Sequence, residues 1–215
     1  MNNYPIATIL GGGGFIGRYL VRNLTKKNFR CIVPTRNPFT KGYLKTQAAP
    51  GAIEFINFNT DEIKNAIENS DIVINLCGIL YETRKQKFNT IHVDLPETIA
   101  TLCAQSDVKK FVHVSAIGAS QESRSKYQQS KFLGEEKLDR LNDHLWIGAS
   151  MDGKPLNQLN SLNQKWILVM GSEAHGIEKP IKSKLNMLYS IPKIGKGESL
   201  NVGVAMGIFL SKLAL

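Results

Sequence analysis

The sequence predicts an α/β protein: a parallel sheet in front, and behind it a second α/β segment with a different pattern. Three observations carry that expectation. Short apolar runs alternate with helically spaced segments from Pro5 to Leu138, a glycine-rich loop joins the first run to the first helix, and the alternation breaks after Leu138. Strands that alternate with helices form parallel sheets with helices on their faces.

The first element is Pro5 to Leu10, a buried-strand pattern that ends in glycine. Gly11-Gly12-Gly13-Gly14-Phe15-Ile16-Gly17 follows, and Arg18 to Lys27 then has helical spacing. Gly12, Gly14 and Gly17 satisfy G-x-G-x-x-G, and Gly11, Gly14 and Gly17 satisfy the wider G-x-x-G-x-x-G. Such a loop needs glycine for its tight turn, for close approach of backbone to a pyrophosphate, and for helix–strand packing. The phosphates would sit at the positive end of the helix dipole, beside Phe15 and Ile16. In this position the motif is that of a dinucleotide-binding Rossmann module for NADP(H) or NAD(H).

Phe29 to Pro34 is expected as the second strand, with Arg36 just beyond its end. An acidic residue near this point bonds the ribose 2′-hydroxyl of NAD, whereas an arginine accommodates a 2′-phosphate. Arg36 therefore favours NADP(H) over NAD(H); the plain alternative is a solvated surface arginine. Ile53 to Phe58 reads as the third strand, and Asp61 to Asn69 as a helix with Thr60 as its N-cap. Asp71 to Leu76 reads as the fourth strand and ends at Cys77-Gly78, where a small residue lets the chain pass beside a cofactor ribose. His92 to Gln105 is expected as a helix with Pro96 near its start, and Lys110 to Ser115 as the fifth strand.

Ser115 is followed by Tyr127-Gln128-Gln129-Ser130-Lys131, which places a tyrosine and a lysine one helical turn apart. A free phenol titrates at about 10. A neighbouring ammonium favours the phenolate, so Tyr127 could exchange a proton with a carbonyl while Ser115 bonds the same oxygen. Lys131 could also hold the nicotinamide ribose. The alternative is an exposed Tyr–Lys pair on a surface helix.

The stretch Val114-Ser115-Ala116-Ile117-Gly118-Ala119 through Tyr127, Lys131, Gly134 and Glu135 resembles the atypical branch of the short-chain dehydrogenase/reductase superfamily. The nucleotide-binding accessory subunit of respiratory complex I belongs to that branch. The resemblance covers about residues 4 to 138 and implies nucleotide binding, often without turnover. It also implies a substrate lobe of well over a hundred further residues, which this sequence does not supply in that pattern.

The pattern beyond Leu138 is different. Leu145 to Ser150 is apolar, Met151 to Asn163 is polar and turn-rich with an Asp152-Gly153 turn signal, and Trp166 to Met170 reads as a strand. Val202 to Leu213 reads as a helix of small residues. Val169-Met170-Gly171-Ser172-Glu173 with His175-Gly176, then Ile191-Pro192, then Glu198-Ser199-Leu200-Asn201-Val202 with Ala205, resemble the second and third motifs of the SpoU (TrmH-like) knotted RNA 2′-O-methyltransferases. That resemblance implies a partial SPOUT-type knot and S-adenosylmethionine cradled at positions like Gly171, Ile191 and Leu200. It also implies an RNA partner and a homodimer through the last helix. The family's first motif, Asn-x-Gly with its activating arginine, has no counterpart upstream of Leu145. The chain thus reads as 1–138, an NAD(P)-binding domain, joined to 139–215, a methyltransferase segment, with no Gly/Ser- or Pro-rich linker between them.

Composition sets wider bounds. Hydrophobic residues make up 42% and charged residues 21%, ordinary for a globular protein, and no apolar stretch is long enough for a membrane span. The first strand starts too early to leave room for a cleaved signal peptide. Cys31, Cys77 and Cys103 show no Cys-x-x-Cys spacing, so a cytoplasmic protein with free thiols is expected. The net charge is +9, with 18 basic and 12 acidic residues up to Leu138 and 9 and 6 beyond it. That excess suits a phosphate-bearing ligand or RNA without separating the two. Three functions follow: an NAD(P)-binding protein or reductase, an S-adenosylmethionine-dependent RNA methyltransferase, or a fusion remnant without activity.

Overall fold

A computed structural model describes residues 4–116, 119–139, 145–160, 162, 166–170, 176–177, 182–192 and 200–213. In its front part, β1 (Ile6–Leu10), α1 (Phe15–Lys26), β2 (Arg30–Thr35), β3 (Ile53–Asn57), α2 (Thr60–Glu68), β4 (Ile72–Asn75), α3 (Leu95–Ala104), β5 (Lys110–His113) and α4 (Lys126–Asp139) follow one another. A 3₁₀ segment, Phe39–Gln47, bridges β2 and β3, and a π-helical turn, Thr90–Asp94, leads into α3. The five strands form one parallel sheet in the order β3-β2-β1-β4-β5. The strand order reverses between β1 and β4, so the crevice lies at the carboxyl ends of these strands.

The sheet is apolar on both faces. Ala7, Ile9, Ile72, Ile74 and Val112 belong to one core cluster, and Leu10 and Val73 to the other. Strand residues alternate between faces, which is why no polar stripe interrupts these segments in the sequence. Ile63 and Ile67 of α2 and Ile99 and Cys103 of α3 cover the second face.

The remainder forms a second, parallel sheet in the order β7-β6-β8, from β6 (Leu145–Pro155), β7 (Trp166–Met170) and β8 (Met187–Ser190), followed by α5 (Val202–Leu213). The two parts share a core. Met206, Phe209, Leu210 and Leu213 of α5 lie in the cluster that holds Leu20, Val21 and Leu24 of α1, and α5 packs along α1. β7 runs beside β5, where Lys110 stacks over the Trp166 ring at 5.9 Å and donates to the Leu213 carbonyl at the end of α5. A cation at a helix C-terminus is favourably placed. The face of the first sheet that α1 leaves partly open is therefore covered by the far end of the chain.

Three local expectations differ. The N-cap of α2 is Asn59 rather than Thr60: Asn59 Oδ1 accepts from the Glu62 N–H at 2.9 Å, while the Glu62 carboxylate accepts from Asn57 N–H at 2.7 Å. Asparagine caps well, and this reciprocal arrangement satisfies donors at the helix start. The helix expected from His92 begins earlier, at Phe88, and passes through the Thr90–Asp94 π-turn into α3; Pro96 lies just past that turn and offers no N–H to it. The Asp152-Gly153 turn signal lies inside β6. The register against β8 shifts between Ala149 and Lys154, and a Cβ on Gly153 would stand 2.5 Å from the Tyr189 backbone. The glycine marks a bulge with close backbone approach, not a hairpin.

Candidate functional site

The glycine loop is shaped by backbone contact. Gly11 has φ of +78°, a conformation glycine adopts freely, and the Gly14 N–H donates to the Gly11 carbonyl at 2.9 Å. A Cβ on Gly17 would lie 2.3 Å from Gly11 O and 2.5 Å from Gly12 Cα, so α1 rests directly on the loop. A Cβ on Gly12 would meet Val33 at 2.9 Å, and one on Gly14 would meet Gly11 O at 3.1 Å. Gly14 is the N-cap of α1 and supplies no side-chain hydrogen bond, and no acidic residue lies in the first turn. The positive end of the helix thus carries neither a side-chain cap nor an opposing charge, the condition that favours an anion. Phe15 is exposed beside it, with the Arg18 guanidinium 5.0 Å from its ring centre, while Ile16 packs against the core.

Two cations flank this loop. Arg36 is exposed just past β2, close enough to Cys77 to act on its thiol. Lys41 comes from the 3₁₀ segment, and its Cδ and Cε would stand 3.0 Å from a Cβ on Gly13. Lys41 was not legible as a site residue, because only the path of the 3₁₀ segment brings it over the glycines. Burial pushes the Cys31 thiol up to about 12 and Cys77 up to about 11, so both stay protonated and unreactive.

The Tyr–Lys helix is more deeply set than a surface pair. Lys131 is 3% exposed and donates to the Val114 carbonyl at 3.2 Å. Burial lowers its ammonium to about 8, against the opposing pull of Cys77 and Glu135. Gly78 faces this ammonium: a Cβ there would lie 3.5 Å from Lys131 Nζ, an ordinary contact. Tyr127 is half-buried, its ring edge-on to His92 at 5.4 Å and to Phe88 at 6.0 Å. Burial raises the phenol. The lowering expected from the neighbouring ammonium does not offset that cost of desolvating a phenolate.

His92, which the sequence marks only as a helix start, organises this region. Its Nε2 accepts from the Ile79 N–H at 3.0 Å, so its proton lies on Nδ1, which donates to Ser130 Oγ at 2.8 Å. Ser130 in turn donates to the Tyr127 carbonyl at 2.7 Å. His113 is held similarly: Asn75 Oδ1 accepts from Cys77 N–H at 3.0 Å, which turns its amide nitrogen toward His113 Nδ1 at 3.1 Å. The His113 proton is therefore on Nε2, which is buried and, like Ser115 Oγ, has no hydrogen-bond partner among the described residues.

Burial first, and then the Lys131 charge, lower His92 to about 4 and His113 to about 3, from an ordinary 6.5. Both titrate lower in the folded chain, so the unfolded chain takes up protons first as pH falls. Stability from neutral burial is intact above about pH 6.5 and is lost progressively toward pH 4 and then 3. The urea midpoint is expected to fall between pH 7 and pH 5, and to fall less in His92→Gln. An equal fall in the variant would assign the effect elsewhere.

Ser115 lines a cavity with His113, Glu135, Trp146, Leu168 and Val169, and neither Tyr127 nor Lys131 is among its lining residues. Of the positions expected to cradle S-adenosylmethionine, Gly171 lies outside the described residues. Ile191 packs partly buried against the shared core, and Leu200 is exposed ahead of α5.

A parallel sheet with an uncapped, glycine-bedded helix at its crevice defines a nucleotide-cofactor-binding α/β protein, and the known proteins it resembles agree. Residues 7–143 match the NAD dependent epimerase/dehydratase family and residues 98–211 match the SpoU rRNA Methylase family; the chain belongs to both. The matches overlap from 98 to 143, where α3, β5 and α4 form an α–β–α unit of the kind common to parallel folds. Subunit 9 of the mouse mitochondrial NADH dehydrogenase [ubiquinone] 1 alpha subcomplex is 34% identical over 172 residues, which is 77% of this chain and 46% of that protein. The chain thus spans less than half the length of this relative. An uncharacterized tRNA/rRNA methyltransferase of Borreliella burgdorferi is 34% identical over 219 residues, covering 85% of this chain and 96% of that protein. Among solved structures, a putative NAD-dependent epimerase/dehydratase from Bacillus halodurans superposes with a TM-score of 0.56 at 21% identity, over 70% of this chain and 73% of that one. That likeness is one of fold. No helix among the described residues is long and apolar enough to cross a membrane.

Proposed function

We propose that the chain is an NADP(H)-binding protein of the atypical short-chain dehydrogenase/reductase type that holds its nucleotide without turnover. The observation that carries the reading is the seating of α1 on the glycine loop, with Gly17 against the backbone of Gly11 and Gly12 and no side-chain cap at the helix start. Backbone groups of Gly11, Gly12, Gly14, Phe15, Ile16 and Gly17 would hold the pyrophosphate. Arg36 would neutralise a 2′-phosphate, with Lys41 as a second cation over the loop. Lys131 and Gly78 would border the nicotinamide ribose. The bound nucleotide supplies a hydride donor or acceptor. Tyr127 is the chain's candidate proton donor, but burial makes its phenol a weaker acid, and its ring is packed on His92 and Phe88. Ser115 borders a separate cavity. Those two features favour binding over reduction.

A second reading rests on the Borreliella burgdorferi relative, of which this chain covers 96%. It assigns 139–215 to S-adenosylmethionine through Gly171, Ile191 and Leu200, with RNA as substrate and a homodimer as the working form. The apolar side of α5 is buried on α1 here, so a dimer through that face would require α5 to leave it.

Thermal unfolding separates the readings. A ligand at 100 times its dissociation constant stabilises by about 2.7 kcal/mol. The expected result is such a shift with NADPH, a smaller one with NADH at equal concentration, and loss of both in Gly14→Leu. A shift with S-adenosylmethionine alone, or an NADPH shift that survives in Gly14→Leu, would overturn the nucleotide assignment.

A further inference from the structure

The geometry points to a docking surface for an anionic lipid bilayer on the outer face of α1 and the 3₁₀ segment beside it. The charge of this chain is unevenly placed. Residues 1–53 contain eight Lys and Arg residues and no Asp or Glu, so they carry nearly all of the net charge of +9. The first acidic residue is Glu54, and its carboxylate is taken by Arg30 at 2.6 Å. The inference is independent of the nucleotide reading, since neither the glycine backbone nor Arg36 enters it.

Helical spacing gathers the cations. Phe15, Arg18, Tyr19, Arg22 and Lys26 lie three or four residues apart and therefore on one face of α1. The opposite face is Leu20, Val21 and Leu24, buried in the shared core. Phe15, Arg22 and Lys26 are exposed, and the Arg18 guanidinium lies 5.0 Å from the ring centres of both Phe15 and Tyr19. Among the described residues, none of Arg18, Arg22 and Lys26 joins an ion pair. At 1.5 Å per residue, the stripe runs for about 16 Å.

The 3₁₀ segment adds an apolar projection at the Phe15 end. It packs on α1, and its Lys41 lies over Gly13. Leu44, 1% exposed, anchors it in the core. Phe39 in the same segment is 95% exposed. An anchored segment that leaves a phenylalanine in water, beside the exposed Phe15 and Tyr43, marks a surface for an apolar partner. The neighbouring cations require that partner to be anionic as well. A bilayer with acidic phospholipid offers both: headgroup phosphates and carboxylates for the arginines and lysines, and an acyl layer beneath for the ring. A single-stranded nucleic acid also offers phosphates, but it is held in a basic groove where bases stack on aromatic rings. Here the cations lie on the convex face of a helix, and Phe39 stands clear of every ring and cation among the described residues.

Co-sedimentation of the full chain with vesicles tests the surface. Vesicles of equal parts phosphatidylcholine and phosphatidylserine are expected to bind the chain, vesicles of phosphatidylcholine alone to bind it far less, and added salt to weaken the binding. Arg22→Gln and Lys26→Gln should each weaken it about fivefold, and Phe39→Ala about tenfold or more. Lys64→Gln makes the same charge change on α2, against the other face of the sheet, and should leave binding unchanged. In Phe39→Trp, the added indole should be quenched by brominated acyl chains beyond any quenching in the parent chain. The melting midpoint of each variant, followed by circular dichroism, should match that of the parent, which separates a lost surface from a lost fold. Equal binding to both vesicle types, an equal loss in Lys64→Gln or no added quenching in Phe39→Trp would each overturn the bilayer assignment. So would binding of an oligouridylate that these substitutions abolish while vesicle binding persists.

Discussion

Phe209→Ala is expected to lower the stability of the whole chain by about 3–5 kcal/mol, the usual cost of emptying a buried aromatic position. Phe209 is 2% exposed and lies in the cluster that contains Leu20, Val21 and Leu24 from α1 and Ile9 and Ile74 from the first sheet. Its removal would leave a cavity between α5 and the Rossmann sheet, not at the edge of a loosely attached tail. Domains of this size are commonly stable by about 5–15 kcal/mol, so the loss would be a large share of the total. Urea unfolding followed by circular dichroism checks it, together with the NADPH-induced shift as a reporter of the first half. A lower midpoint in both signals means that the halves fold as one. An NADPH-reported midpoint equal to that of the parent chain would mean that α5 is a passenger, and the shared core would be refuted.

Gly134→Ala is the second large effect, and its sign runs against helix propensity. Alanine in a helix interior is ordinarily better than glycine by about 1 kcal/mol. Gly134 is buried within α4, and a Cβ there would stand 1.9 Å from the His92 carbonyl oxygen. Backbone cannot swing aside as a side-chain end can, so α4 or the Thr90–Asp94 turn must move. Overpacking of this kind costs about 1–3 kcal/mol, occasionally more, and the upper end is expected here. Displacing α4 would also stretch the bond from His92 to Ser130 and loosen Lys131. Gly42→Ala is the control: nothing lies within 4 Å of its Cβ position, so that change should be neutral or stabilising by up to about 1 kcal/mol. If Gly134→Ala were as mild as Gly42→Ala, the close packing of α4 on the π-turn would be wrong.

The site was legible in proportion to how local its physics is. The glycine loop could be read directly, because a strand, G-x-G-x-x-G and a helix form one contiguous unit whose spacing is set by backbone sterics. Arg36 could be singled out as a candidate by its place after β2. Lys41, His92 and His113 were not: each owes its role to a partner far along the chain, and a lone lysine or histidine carries no spacing signal. Tyr127 and Lys131 were legible as a pair, but not the environment that raises the phenol. That shift comes from burial beside Phe88 and His92, which arrive from the preceding loop and turn.

The sequence by itself determined the parallel α/β class, the glycine loop between strand and helix, and the presence of two family patterns. Those depend on alternation, glycine spacing and short motifs, which are properties of neighbouring residues. Tertiary structure alone decided that the two patterns share one core, that α5 covers α1, and that Ser115 and His113 line a cavity between the halves. Two amphipathic patterns each announce a face to be buried, but neither names the surface that buries it; that choice is made by shape and by the three-dimensional path of the chain.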